Sequence, residues 1–302
     1  MDYSDITNNV RAMIFDVYGT TVDWRKEVTS YLMEAASRAL DSASASIPSQ
    51  VRLLCDPGDA VFWSLFAQDW RESYYNYTRQ HDPVGQIHSF VNTDTFYEHS
   101  LINLLERYGL VGLWNEQEIA EHCQIWHRLR PWPDSVIGLN FLRYKKGYRI
   151  ATLSNADTAL IQDLVEWGNL PFTDILSAEQ FGVYKPHREI YERAARKLDI
   201  PFNQCAMVAA HLGDLEAAKE VGMWTVYVER WEEEMFNESQ ISRAKREGFV
   251  DMWIELTDSS DEEDGAAESG GFIELARRLG VHDHLAMETT SGLTGLYSEE
   301  DQ

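Results

Sequence analysis

Short runs of apolar residues that end at polar residues recur along the chain. The first covers residues 11–15, ends at Asp16 and is followed by Gly19, a turn residue. Three further runs have the same form: residues 148–153, 204–208 and 224–228. Runs of this length between turn signals predict buried strands. Helical patterns separate them at residues 158–167 and 214–220, and this alternation predicts an α/β fold with a parallel sheet.

Polar residues stand where these strands end. Asp16 follows the first strand, Ser154 and Asn155 follow the second, and the third continues through His211 to Asp214. In a parallel sheet the carboxyl ends of neighbouring strands meet at one edge, where ligands bind. We therefore expect these side chains to converge on one crevice.

The region between the first two strands has a different pattern. Residues 27–130 show few strand signals and several helical patterns, notably residues 60–79 and 95–108. The pattern predicts a Rossmann-like parallel-sheet core built from residues 1–24 and 131–281, with an inserted helical cap at residues 25–130.

Two further segments complete the predicted organisation. Residues 258–270 are rich in Asp, Glu and Ser, and such dense like charge predicts a solvated loop because the charges repel and have little to bury. Residues 271–279 carry an apolar helical face that we expect to pack on the core, and residues 286–302 are expected to form a flexible tail.

Charge and composition exclude several kinds of partner. The chain carries 26 Lys and Arg against 50 Asp and Glu, a formal charge of −24, which leaves no broad basic surface for nucleic acid. Its three cysteines show no CxxC spacing and are expected to be reduced thiols. Apolar runs stay well below the roughly 18 residues of a membrane span, and the N-terminus lacks a signal segment. A cytoplasmic protein without a membrane partner is the expectation.

Four separated motifs together resemble one enzyme superfamily. Residues 15–20 (Phe-Asp-Val-Tyr-Gly-Thr), residues 153–155 (Leu-Ser-Asn), residues 183–186 (Val-Tyr-Lys-Pro) and the segment that ends at Asp214 resemble, in this order, the motifs of the haloacid dehalogenase superfamily. Tyr18 indicates the L-2-haloacid dehalogenase branch. The resemblance spans about residues 11–230 and includes the cap.

The resemblance implies a catalytic set. A carboxylate at a strand end can attack an electrophile and form an ester, which divides one difficult displacement into two easier steps. Asp16 is the implied nucleophile. Thr20 and Ser154 are implied to hold it by hydrogen bonds, Lys185 to balance the surrounding carboxylates, and Asp214 to help activate the water that hydrolyses the ester.

A second set is expected to contact the substrate: Tyr18, Arg71, Asn155, Tyr191 and His211. Arg71 lies in a cap segment resembling the branch's substrate-binding arginine, where a guanidinium group pairs with a carboxylate or a departing halide; a solvated helix charge is the alternative. Tyr191 follows the third motif and has a packing role as its alternative. For His211, a second base, a substrate donor and a merely packed histidine all remain open.

Two positions favour attack on carbon over phosphorus. The phosphatases of the superfamily carry a second Asp two residues after the nucleophile, because an alkoxide leaving group needs a proton; here that residue is Tyr18. A halide leaves without a proton. Where magnesium-dependent members have a metal-binding Asp, this chain has Ala210. We therefore predict neither a metal nor another cofactor.

The leading hypothesis is a hydrolase that displaces a leaving group, halide by preference, from the C2 atom of a small carboxylate. A hydrolase of a larger metabolite without halogen, a phosphatase with a rebuilt metal site and a non-catalytic binding protein of this fold are the alternatives. Residues 209–213 depart from the typical dehalogenase motif, and this departure keeps the alternatives for the substrate open. Dimers are common in the resembling family, so a homodimer stays open.

Overall fold

A computed structural model describes residues 3–43, 45–80, 90–256 and 270–281. Within these ranges, strands form a single sheet in the order β2-β1-β3-β4-β5, and every neighbouring pair is parallel. This confirms the predicted α/β fold with a parallel sheet. The strands are β1 (Ala12–Phe15), β2 (Arg149–Thr152), β3 (Cys205–Ala209), β4 (Trp224–Val228) and β5 (Met252–Ile254).

Helices surround the sheet. In chain order the α-helices are α1 (Ser4–Asn9), α2 (Trp24–Asp41), α3 (Ser49–Leu54), α4 (Ala60–Gln80), α5 (Thr93–Arg107), α6 (Glu116–Cys123), α7 (Ser135–Asn140), α8 (Thr158–Trp167), α9 (Ala178–Phe181), α10 (Arg188–Leu198), α11 (Leu212–Glu220), α12 (Glu238–Glu247) and α13 (Gly271–Arg278). Short 3-10 or π turns occupy Gln124–His127, Phe141–Lys145 and Phe202–Gln204.

The central strands are buried on both faces. Every residue of β1 and β3 is buried, as expected where helices cover both sides of a parallel sheet. Met13 and Phe15 enter one hydrophobic cluster, while Ala12 and Ile14 enter another. The register pairs Phe15 with Thr152 on β2 and with Val208 on β3, so the residues after these three strands lie at one edge.

The helices α2 to α6 come between β1 and β2 in the sequence. Buried aromatic side chains hold them together. Tyr97 and Trp126 stack with ring centroids 4.4 Å apart, and Trp70 meets Trp126 edge to face at 5.2 Å. The Trp70 indole N–H donates to the Tyr97 carbonyl at 3.1 Å. These contacts fix α4, the helix that carries Arg71.

The chain leaves and re-enters the core at one place. The Asp23 N–H donates to the Arg130 carbonyl at 2.9 Å, and Val22 forms a bridge with Pro131. The predicted boundaries of the cap, at residues 24/25 and 130/131, fall on this crossing. A division of the chain into a core and a cap at this crossing stays a prediction.

The sequence did not predict β5 or α12. Strand β5 is only three residues long, and in α12 only Ala244 is buried, so neither leaves a strong hydrophobic pattern in the sequence. Of the predicted acidic loop, residues 258–269 lie outside the described residues, as does the tail at 286–302. Within the described ranges, no helix combines the length and apolar character that crossing a bilayer requires.

Candidate active site

Asp16 lies at the carboxyl end of β1 with only 6% of its surface exposed. Its Oδ1 accepts a hydrogen bond from Lys185 Nζ at 2.5 Å. Its Oδ2 accepts one from Thr20 Oγ1 at 2.7 Å and lies 3.1 Å from His211 Nδ1. A buried carboxylate is costly unless it is paired and hydrogen-bonded, and here both oxygens have partners.

The loop after β1 is shaped to hold Thr20 in this position. Thr21 Oγ1 donates to the Asp16 carbonyl at 2.7 Å, and Gly19 takes a positive φ of 79°. Thr20 Oγ1 also accepts from the Ala210 N–H at 2.9 Å, which leaves the hydroxyl hydrogen for Asp16.

A buried ion pair supports that loop from behind. Arg230 Nε donates to the Thr20 carbonyl at 3.0 Å, and its two terminal nitrogens contact the Asp134 carboxylate at 2.6 and 2.9 Å. Asp134 also accepts from the Phe272 N–H at 2.7 Å, so the start of α13 is tied to the same pair. A bidentate arginine of this kind fixes geometry as well as charge.

Lys185 connects two carboxylates. Its Nζ lies 2.5 Å from Asp16 Oδ1 and 2.5 Å from Asp214 Oδ2. Asn155 holds the Lys185 backbone on both sides: its Oδ1 accepts from the Lys185 N–H at 2.7 Å, and its Nδ2 donates to the Lys185 carbonyl at 3.2 Å. The structure therefore gives the Asn155 amide a positioning role in the site.

These contacts set the charge state of the pair. Burial alone raises the pKa of Asp16, but the charges of Lys185 and His211 outweigh it and lower that pKa far below its usual range. Burial lowers the pKa of Lys185, yet Asp16 and Asp214 outweigh this and raise it. Asp16 is therefore an anion and Lys185 a cation at neutral pH.

His211 lies between two carboxylates. Its Nδ1 contacts Asp16, and its Nε2 lies 3.5 Å from Glu233 Oε2. Burial lowers the pKa of His211, but hydrogen bonds and charge from the two carboxylates raise it to about 10. The imidazole is thus protonated at neutral pH and donates through both ring nitrogens.

Glu233 is a site residue that the sequence analysis missed. Its Oε2 accepts from Trp24 Nε1 at 3.0 Å, whereas its buried Oε1 has no hydrogen-bond partner among the described residues. It also approaches Gly19, where an added Cβ would lie 1.9 Å from Oε2. The available signal was a run of three glutamates a few residues beyond the carboxyl end of β4, the edge at which ligands bind.

One cavity extends from Asp16 to α4. Among the residues that line it are Tyr18, Arg71, Ser154, Asn155 and Asp214. The Arg71 guanidinium lies 5.2 Å above the centre of the Tyr18 ring, and its buried Nε has no hydrogen-bond partner within the described part of the chain. Arg71 therefore lines the cavity next to the nucleophile and keeps one N–H donor unpaired among the described residues.

Two expected contacts are different in the structure. Ser154 lines the cavity, but its Oγ accepts from the Ala156 N–H at 3.2 Å and makes no hydrogen bond to Asp16 among the described contacts, because it turns toward the start of α8. Tyr191 is fully buried in the hydrophobic cluster behind the sheet and is not among the residues that line the cavity. Its side chain packs beside the site, since the apolar face of α10 carries it inward.

A divalent cation fits this site poorly. Donor atoms of Asp16, His211 and Asp214 lie within 4.8 Å of one another, a spacing that a metal could use. However, the Lys185 ammonium contacts both carboxylates at 2.5 Å, and a protonated imidazole is no ligand. The absence of a metal from the reaction stays a prediction.

The parallel sheet, the helices inserted after β1 and the buried anion at the end of β1 together define a class of hydrolases with a Rossmann-like core. A family model described as haloacid dehalogenase-like hydrolase matches residues 10–222, and the chain belongs to that family.

Curated relatives and solved structures agree with this assignment. The chain is 23% identical over 224 residues to (S)-2-haloacid dehalogenase 1 of Pseudomonas sp. (strain CBS-3), covering 73% of this chain and 85% of that protein. It is 26% identical over 230 residues to (S)-2-haloacid dehalogenase 4A of Burkholderia cepacia, covering 74% and 85%. The crystal structure of the defluorinating L-2-haloacid dehalogenase Rha0230 superposes with a TM-score of 0.67 at 26% identity, covering 93% and 99%.

Proposed function

We propose that this chain is a metal-independent 2-haloacid dehalogenase in which Asp16 displaces halide from C2 of a small (S)-2-haloacid. One observation carries the proposal: the buried Asp16 carboxylate is balanced by the Lys185 ammonium at 2.5 Å, and Tyr18 replaces the acid that a phosphatase needs. The relatives named as (S)-2-haloacid dehalogenases support the substrate class.

In the first step Oδ1 of Asp16 is the attacking atom. Among the described residues Oδ1 accepts one hydrogen bond, from Lys185, while Oδ2 has two partners, Thr20 and His211. Oδ1 therefore keeps a lone pair for carbon. A C–O bond forms at C2 as the C–halogen bond breaks, and the halide leaves with the bonding electrons.

In the second step water hydrolyses the aspartyl ester. Asp214, next to Lys185, takes a proton from the water that adds to Cγ of Asp16. The Cγ–O bond to the substrate then breaks, and the product oxygen takes up a proton to give the 2-hydroxy acid. One solvent oxygen remains in Asp16 after each turnover.

His211 acts as a donor in this scheme, because its pKa of about 10 keeps it protonated. Thr20 Oγ1–H and His211 Nδ1–H both point at Oδ2, where negative charge develops when water adds to Cγ. Preorganised donors at such an oxygen stabilise the transition state. Arg71, with its available N–H, binds the substrate carboxylate.

The test uses a panel of (S)-2-haloacids with EDTA present. We expect halide release by wild type without added metal, and a single turnover in H₂¹⁸O should raise the mass of the peptide that contains Asp16 by one ¹⁸O in place of ¹⁶O. Activity that requires Mg²⁺ and releases phosphate from phosphoesters would favour the phosphatase alternative. Binding without any turnover would favour a non-catalytic protein. Both outcomes contradict the proposal.

A further inference from the structure

Two arginines that line the cavity have no carboxylate partner among the residues that the structure describes. The cationic residues of the lining are Arg25, Arg71, Arg79, Lys185 and His211. Lys185 and His211 contact the carboxylates described above, and Arg25 pairs with Glu232 at 3.6 Å. Among the described residues, neither Arg71 nor Arg79 forms an ion pair. The site therefore offers two open positive charges to a ligand.

Both arginines are held in place by aromatic rings. Arg71 lies over Tyr18, 5.2 Å from the ring centre, and Arg79 lies over Tyr75 at 4.6 Å. Both belong to α4, and eight residues of helix separate their Cα atoms by about 12 Å along the axis. Because arginine side chains are long and flexible, the two guanidinium groups can lie closer together or farther apart than the Cα atoms. Both guanidinium groups line the same cavity, so one short chain with two carboxylates could contact both.

Gly213 lacks a side chain and so leaves room for the Arg79 guanidinium at the cavity. A Cβ atom added at Gly213 would lie 3.0 Å from Arg79 Nη2 and about 4 Å from the Phe236 ring. The guanidinium therefore lies against the first turn of α11, one residue before Asp214. A side chain at position 213 would push Arg79 away from this position.

We propose that the substrate is a short dicarboxylic acid with its leaving group on C2. The carboxylate next to C2 binds Arg71, and the distal carboxylate binds Arg79. Each pairing is a charge-assisted hydrogen bond with a planar guanidinium fork. This inference rests on the proposed function for the position of C2, while the recognition of two carboxylates can be measured without turnover.

Binding of unreactive acids tests the inference directly. Succinate, glutarate and adipate are titrated by calorimetry in chloride-free buffer against butyrate, pentanoate and hexanoate, their matches in carbon number. We expect at least one diacid to bind wild type about 10-fold to 100-fold more tightly than its match, the range of one charged hydrogen bond. Equal affinities for all three pairs would overturn the inference.

Two variants locate the effect. Arg79→Met keeps the apolar stem and should remove the preference for the diacid while leaving monoacid affinity within about twofold. Gly213→Ala should weaken the same preference by displacing Arg79, although alanine favours the helix and the fold should be retained. Arg38→Met, an exposed arginine of α2 outside the cavity lining, is the matched control and should change nothing. A preference that survives Arg79→Met would also overturn the inference.

Turnover separates this inference from the proposed function. The (S)-2-chloro derivatives of the preferred diacid and of its monoacid match are compared for chloride release. A higher kcat/KM for the diacid, lost through KM in Arg79→Met, agrees with both proposals. Diacid-selective binding without chloride release from either acid refutes the dehalogenase and keeps the two-carboxylate site. Release from both acids with equal kcat/KM refutes the two-carboxylate site and keeps the dehalogenase.

Discussion

Two histidines of this protein each lie between two carboxylates, and the partner carboxylates differ in burial. His211 lies between Asp16 and Glu233, whose side chains are 8% and 4% exposed. His127 lies between Asp94 on α5 and Asp163 on α8, at 2.7 Å from each, and those side chains are 37% and 56% exposed. The same arrangement therefore exists once with buried carboxylates and once with carboxylates that reach solvent.

We call a histidine with a carboxylate on each side a charged triplet. The difference between the two triplets shows how exposure of the carboxylates to solvent changes what the triplet does. Around His211 there is little water to screen the charges, so the triplet fixes protonation states beside the nucleophile. Around His127 burial lowers the pKa, and the hydrogen bonds to Asp94 and Asp163 outweigh it and raise the pKa. Water screens the exposed partners there, so His127 serves mainly to connect α5 with α8.

Removing the anion at one end of the buried triplet, Asp16, should have the largest effect. We expect Asp16→Asn to lose turnover by about 10⁴-fold or more, since the amide is a far weaker nucleophile. The measurement is halide release together with intact mass, which should show no adduct. Asp5→Asn, at an exposed position of α1, is the control. Turnover within tenfold of wild type in Asp16→Asn would exclude this residue as the nucleophile.

Neutralising the other end of the buried triplet should have an intermediate effect. Glu233→Gln should lower kcat about 10-fold to 100-fold. This loss is smaller than the one caused by removing an oxyanion-hole donor outright, because His211 itself is retained. Because His211 must be protonated to donate to the ester, kcat should fall as the pH rises through the pKa of His211 in the ester intermediate, which Glu233 still raises once the charge of Asp16 is gone. Without the Glu233 charge that pKa is lower, so the alkaline limb of the kcat profile should move to lower pH.

The pH profile distinguishes this role from simple packing. Glu238→Gln, exposed at the start of α12 and outside the cavity lining, is the matched control and should keep the wild-type profile. A Glu233→Gln enzyme that is slower by the same factor at every pH would show that Glu233 does not act through His211.

Breaking the exposed triplet should have the smallest effect. We expect His127→Gln to lower the free energy of unfolding by about 1 kcal/mol or less and to leave the chemistry unchanged. Because the folded pKa of His127 is raised, its stabilisation is fully present below the unfolded value of about 6.5 and disappears as the pH rises through the folded pKa. Urea unfolding at several pH values measures this, with the exposed His99→Gln of α5 as control. A deficit that grows as the pH rises would contradict this assignment.

The sequence predicted the sheet and the positions of most site residues because strand ends and motifs are local features. Asp16, Thr20, Lys185 and Asp214 form one hydrogen-bonded group in the structure. The family assignment and the α/β fold are confirmed, whereas the roles of these residues stay predictions.

Side-chain direction could not be predicted. Residues 232–234 are three consecutive glutamates, and only packing against Trp24 and Gly19 determines that Glu233 is the one beside His211. Arg79 resembles any exposed helix charge until the fold brings Gly213 against it. The direction of Ser154 Oγ depends in the same way on a contact, here with the Ala156 N–H just before α8.

Gly19 and Glu233 place a joint constraint on how this protein can change. The backbone at Gly19 has a positive φ, and any side chain there would collide with Glu233 Oε2. A larger residue at position 19 therefore meets two obstacles, the strain of a positive φ and the Glu233 carboxylate, and a shorter residue at position 233 relieves only the second. Libraries that randomise position 19 will therefore return few residues besides glycine, even where position 233 is shortened.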